Sequence, residues 1–294
     1  MQRVFRTNIG TLTAMETSGS IYMKGLPVRR PPALNRFLSS TPISIVIYCL
    51  IVGGILYSSF KGAQSMGYNW QWYQIPKYIY RYTDNGFQFG ELMFGLWTTI
   101  TLSFSAFALA VILGLLLALL RLSGLFIGTK VAVCFLEFVR NIPLLVLVYL
   151  FYYVLGPVFK YDRYTASILC LAVYHSALIS EILRAGINAV AQGQWEAAKS
   201  IGMSKAQMYR YIILPQSIRF MLPPMTGEVI HMVKSSAIVS VIAVAELTTL
   251  GQNIISDTYM AFEIWFTIAV IYMIVIMILS IGASQVERRY TVTN

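Results

Sequence analysis

Charge is scarce in this 294-residue sequence: Asp, Glu, Lys and Arg together make up 12% of it, and histidine occurs only twice. A soluble domain of this length needs a charged outer shell, so the scarcity excludes an ordinary water-soluble globule. Cysteine is equally rare. Cys49, Cys134 and Cys170 each fall inside an apolar run, where a thiol acts as a small packing residue. Three cysteines so placed give neither a disulfide framework nor metal-ligand spacing. No Gly-x-x-x-x-Gly-Lys-Ser/Thr phosphate loop occurs, since "GMSK" lacks the leading glycine spacing, and neither Gly-x-Ser-x-Gly nor a paired-histidine metal motif is present. The chain therefore offers no catalytic residues, no metal set and no means of hydrolysing ATP alone.

Apolar residues fill 57% of the sequence, in several runs. These runs reach the roughly 20 residues that cross a bilayer, and the expected fold is an all-α polytopic membrane bundle. Six spans are expected, over about 42–59, 93–120, 131–157, 166–183, 225–245 and 264–284, the third broken by "VRNIP". The first 41 residues are polar and basic, and the first apolar run lies too far from the start for a secretory signal. It is read as an uncleaved spanning helix. The aromatic stretch "MGYNWQWYQIPKYIYRYTDNGFQF" suits the headgroup level of the outer face, or a docking surface there.

The net charge of +10 could suggest nucleic acid, but its distribution follows membrane topology instead. The N-terminal segment, the Arg121/Lys130 loop, the Arg184–Arg219 region and the Arg288/Arg289 tail hold most of the basic residues. The positive-inside rule then places these segments and both termini in the cytoplasm. No nucleic-acid partner is expected; lipid is. Two regions follow, 1–92 with an extra helix and outer loop, and a five-helix core at 93–294 whose polar loop covers about 187–216.

That loop is "QWEAAKSIGMSKAQMYRYIILPQ". Glu196, Ala197, Ala198 and Lys199 are strong helix formers. Gly202 sits where a helix ends in a left-handed cap, and Ser204 with Gln207 forms a capping box for a second helix. That helix carries Met208, Tyr211 and Ile212 on one side and is expected to stop at Pro215. Connectors between spans are far shorter than this. The loop is therefore either a lever that binds a cytosolic partner or an amphipathic hairpin lying on the headgroups.

Glu196-Ala197-Ala198, Gly202, Ile212 and Leu214-Pro215 resemble, in residue type and in every gap, the EAA signature of permease subunits of bacterial ATP-binding cassette importers. "EFVRNIPLL", "SEILRAGI" and "PPMTGEVIHMVKSSAIVSVIAVAEL" look like the polar amino-acid branch, nearest its glutamate/aspartate-type members, with glutamine and histidine carriers alongside. The similarity covers about 93–289, and the first 92 residues depart from the shorter members. The resemblance implies that the loop is a coupling helix seated in a cytosolic ATPase, which binds the ATP. It also implies a second permease subunit, the same chain or a different one, and an extracytoplasmic amino-acid-binding protein. Glu196, Ala197 and Gly202 would matter most: the acid for a polar contact, the small residues for close approach.

Ionisable residues inside spans raise a functional question. Arg140 and Asn141 fall mid-span before Pro143. Arg140 either meets a substrate carboxylate or pairs with Glu137, and the Arg-x-x-Pro element that the family shares across differing substrates favours a structural role. Glu228, His231 and Ser235 share one helical face, with Lys234 and Ser236 nearby. Glu228 and Lys234 could receive the ammonium and carboxylate of an amino acid, or Glu228 could merely satisfy basic loop residues. Glu181 is spaced to pair with Arg184, and His175 is expected to be a satisfied interior residue. An ion-coupled secondary transporter should show inverted repeats and paired intramembrane acids, and a membrane enzyme a catalytic constellation; neither stands out.

Overall fold

The computed structural model describes residues 41–83 and 86–290. The chain divides into two compact units, Met1–Asn69 and Trp70–Asn294. In the first, the described part is one helix, α1 (Thr41–Ser65), which outruns the apolar run ending at Ser59. The polar residues expected to precede it lie outside the described residues.

The second unit opens with a 3-10 turn at Trp72–Gln74 and a short helix, α2 (Pro76–Ile79). β1 (Tyr80–Thr83) and β2 (Gly86–Phe89) then form an antiparallel hairpin with Tyr80 opposite Phe89. The remaining described elements are helical. α3 (Glu91–Leu122) leads to α4 (Phe126–Asn141), α5 (Leu144–Tyr149), a π turn at Leu150–Leu155, and α6 (Gly156–Phe159). α7 (Arg163–Asn188) and α8 (Gln192–Ser200) follow. Next come α9 (Lys205–Met208), a π turn at Tyr209–Ile213, and α10 (Leu214–Ser236). A 3-10 turn at Ala237–Ile242, α11 (Leu247–Thr258) and α12 (Ala261–Tyr290) complete the unit.

Among the described residues, five helices are long and apolar enough to cross a membrane, or six if α4 and its continuation count as one span bent by 105°. The bend has a local cause. Ile142 precedes Pro143 and is extended (φ −99°, ψ 129°), because proline crowds the helical conformation of the residue before it.

The fifth span departs from expectation. It does not begin near Met225: a continuous helix of 38 residues runs from Lys205 to Ile242, through Pro215, Pro223 and Pro224. The π turn at Tyr209–Ile213 absorbs Pro215 by widening the hydrogen-bond spacing just before it. It also rotates the surface, so that Tyr211 is exposed while Ile213 is fully buried. Neither α11, set in the loop before the last span, nor the β1–β2 hairpin is among the sequence expectations.

α3 and α7 make the most extensive helix pair. Most residues buried on them are small: Ser103, Ala106, Ala110, Gly114 and Ala118 on α3, and Ala166, Ser167, Cys170, Ala177 and Ser180 on α7. Lipid tails are as apolar as leucine, so close backbone approach rather than hydrophobicity holds such a pair together. Leu102, Leu136, Leu147, Ile179 and Met232 fill the remaining core. Leu115, Leu116 and Leu119 on α3, and Met273, Met277 and Ile281 on α12, are exposed, as lipid contact allows.

Helix ends are fastened by polar caps. Asp162 accepts from the amides of Tyr164 and Thr165 at the start of α7, and the hydrogen bonding from Thr165 holds its carboxyl below the usual carboxylate range. Fully buried Glu246 caps α11 through the amides of Thr248 and Thr249 and also accepts from the Tyr272 hydroxyl. The Leu247 amide donates to Thr99 Oγ1 at 3.1 Å, joining α11 to α3.

Candidate functional site

The polar loop folds as a helical elbow. α8 ends in a Schellman arrangement: the Met203 amide donates to Ala198 O at 3.1 Å and the Gly202 amide to Lys199 O at 3.0 Å. Gly202 has φ of +75°, a conformation that L side chains resist. Ser204 then starts α9 with a complete capping box, its amide donating to Gln207 Oε1 and its hydroxyl accepting from the Gln207 amide. Local sequence dictates all of this.

Packing decides which side of the elbow is free. Ala198, Met208, Ile213 and Met221 are buried together with Ile187 and Val190 from the end of α7. Trp195, Met203, Tyr209 and Ile212 lean on that cluster. Glu196, Ala197 and Gly202 are exposed, as are Leu214 and Pro215. So the seven residues of the signature divide. Ala198 and Ile212 buttress the elbow, while Glu196, Ala197 and Gly202 are exposed beside Lys199 and Ile201.

The buttress continues into the membrane. A Cβ built on Gly186 of α7 would lie 2.3 Å from Met221 Cγ, so only glycine lets α7 and α10 approach this closely. Above this contact, Glu181 on α7 accepts from two arginines. Arg121 Nη1 at the end of α3 lies 2.6 Å from Oε1, and Arg184 Nη2 lies 2.9 Å from Oε2. The Glu181–Arg184 pair is as the spacing predicts; Arg121 is an addition, sixty positions away and visible only in the fold.

The second candidate group departs further from the sequence reading. Glu228 is only 8% exposed. Its Oε1 is in hydrogen-bond contact with His175 Nδ1 on α7, and its Oε2 lies 3.5 Å from His231 Nδ1, one turn along α10. His175 is therefore not a merely satisfied core residue: it is fully buried, holds Glu228, and has an Nε2 without a hydrogen-bond partner among the described residues. Glu228 does not reach basic loop residues.

Nor does it meet Lys234, which is exposed, since six residues carry a side chain about 120° round a helix. Ser235 is half-buried, and buried Ser236 donates to Val233 O. At the α4–α5 bend, Asn141 Nδ2 donates to Glu137 O at 2.6 Å and lies 3.3 Å from Glu137 Oε2. Among the described residues no Glu137–Arg140 ion pair forms, and Arg140 is exposed. A buried acid on one span demands a partner, and the only two histidines were the obvious ones to test against it.

Residues 110–292 match the binding-protein-dependent transport system inner membrane components. The chain belongs to that family. Among relatives of this permease, the probable glutamine ABC transporter permease protein GlnM of Bacillus subtilis (strain 168) is 34% identical over 202 residues, spanning 68% of this chain and 94% of GlnM. The glutamine transport system permease protein GlnP of Escherichia coli (strain K12) is 36% identical over 194 residues, spanning 65% and 89% respectively. A crystal structure described as an amino acid ABC transporter with histidines superposes with a TM-score of 0.64 at 41% identity, over 68% of this chain and 94% of that one. The chain is thus a multi-pass inner-membrane permease subunit of an ATP-binding cassette importer.

Proposed function

We propose that this permease carries polar amino acids, with glutamine, glutamate or aspartate as the class to test first, and that the elbow Glu196–Gly202 docks on a separate cytosolic ATPase. That partner binds and hydrolyses the ATP. A second permease subunit completes the pore, and an extracytoplasmic binding protein delivers the substrate. Both termini and the elbow then lie in the cytoplasm, in keeping with the basic residues around the loop.

One observation supports the docking role above the others: the signature residues that packing leaves free sit on a rigid mount. An amphipathic hairpin lying on headgroups would turn an apolar face outward. Here Ala198, Met208 and Ile213 are buried against α7 and α10, and the outward face is mixed, carrying Glu196, Ala197 and Lys199 beside exposed Ile201. A push on the elbow is therefore passed to both helices, which also carry His175, Glu228 and His231. Nucleotide-driven closure of the ATPase would shift the bundle between inward- and outward-facing states through contacts that differ between them.

The relatives' names weigh against an ion-coupled carrier. A photo-crosslinking cysteine in place of Ala197 tests docking directly. Reconstituted with the rest of the importer, it should capture the ATPase and lose that product on a change of nucleotide. Labelling of lipid alone would end the proposal.

A further inference from the structure

The chain's only two histidines lie on different helices, α7 and α10, yet their rings are 5.1 Å apart, centroid to centroid, and steeply inclined at 70°. Glu228 stands between them, one carboxylate oxygen towards each. One ligand atom from each of the three residues lies within 4.8 Å of the other two. We propose that His175, Glu228 and His231 form a binding site for a single divalent transition-metal ion of the zinc type, which ties α7 to α10 when bound.

The donor set is the argument. Two imidazoles and a carboxylate are borderline ligands, suited to zinc, cobalt or nickel ions and not to magnesium or calcium, which take oxygen cages. With metal–ligand bonds of about 2.1 Å, neighbouring ligand atoms of a tetrahedral ion lie about 3.4 Å apart. The His231 Nδ1–Glu228 Oε2 separation is 3.5 Å. His175 closes the third corner with one ring nitrogen, a small rotation releasing its direct contact with Glu228.

His175 is wholly buried and turns Nδ1 towards Glu228, so Nδ1 is its ligand atom, while Nε2, on the far side of the ring, has no hydrogen-bond partner among the described residues. The cluster is open on one side, where the His231 side chain is half exposed, which leaves a fourth coordination position free for a small ligand. The Tyr174 ring stands edge-on to His175 at 5.3 Å.

Binding is read on the full chain, purified by a tag without histidine and carrying Cys49→Ser and Cys134→Ser, since both thiols are exposed. Calorimetry with zinc chloride should give one ion per chain. Cobalt chloride should develop the visible absorption of a low-coordinate site, and magnesium chloride at the same concentration should give nothing. Loss of an outer partner alone weakens metal sites by about 10–100-fold, so loss of a direct ligand in His231→Ala should weaken binding by at least that factor. Asp257→Asn, an exposed acid elsewhere, should bind as the parent does.

His231 is half exposed, so the variant keeps its fold, which thermal unfolding without metal verifies; Glu228→Gln provides a second loss. Absence of stoichiometric zinc binding to the parent, or equal binding by His231→Ala, overturns the assignment.

Discussion

Replacing Gly202 by a graded set of side chains separates backbone conformation from crowding at the elbow. At φ of +75° the residue is left-handed, and a Cβ placed there would meet no protein atom within 4 Å. In the isolated chain the cost of Gly202→Ala is therefore conformational alone, about 1–2 kcal/mol. That corresponds to a factor of about 5–30 in the population of the native elbow. Gly202→Asn should cost far less, because asparagine tolerates this region, and Gly202→Val more, because a β-branched residue tolerates it least. Gly202→Asp keeps the conformation accessible but adds a carboxylate to the exposed corner.

The assay is ATP-driven uptake in proteoliposomes, with co-purification of the ATPase as a second readout. If conformation governs, activity should fall in the order Gly, Asn, Ala, Val. Gly202→Asp should insert normally and lose coupled uptake. Equal activity across the series refutes the conformational argument. Equal loss in Asn and Ala refutes it differently, because it means the docked partner excludes any Cβ.

Gly186→Leu should lower the midpoint of thermal unfolding in detergent, since its Cβ would overlap Met221 and overpacking costs about 1–3 kcal/mol; an unchanged midpoint would show that α7 and α10 separate freely. Pro223→Ala with Pro224→Ala restores two amide donors inside α10, so it should raise that midpoint and slow uptake by stiffening the helix. Faster uptake in that double variant would contradict a flexible joint there.

The elbow was legible because its signals are local. Gly202, Ser204 and Gln207 act on neighbours within one turn, and each took the conformation its chemistry favours. Pro215 misled because a proline reads as a stop, whereas a π turn upstream accommodates it and the helix runs on. The hairpin escaped because aromatic content suggested the membrane interface. Asn85-Gly86 between alternating aromatics carries a turn signal that deserved more weight. Arg184 beside Glu181 was legible from spacing, but the partners that Glu228 and Glu181 find on other helices were not. His175 and Arg121 reach them only because small residues let α3, α7 and α10 pack closely, and sequence separation holds no trace of that.

Helix α10 joins these two kinds of information. Its N-terminal part is bound to the elbow through Met208, Ile213 and Met221; further along it carries Glu228 and His231. Between the two lie Pro223 and Pro224, which leave the carbonyls of Arg219 and Phe220 without their usual amide donors. A helix is weakest where its ladder is missing rungs. On the coupling reading, motion delivered at the elbow reaches the buried acid by two routes: through this weakened stretch of α10, and through α7, which meets α10 on both sides of it, at Gly186 with Met221 and at His175 with Glu228. A rigid α7 beside a jointed α10 converts a push at one end into a change of angle between them. Glu228, held by one histidine from each helix, stands where that angle is felt.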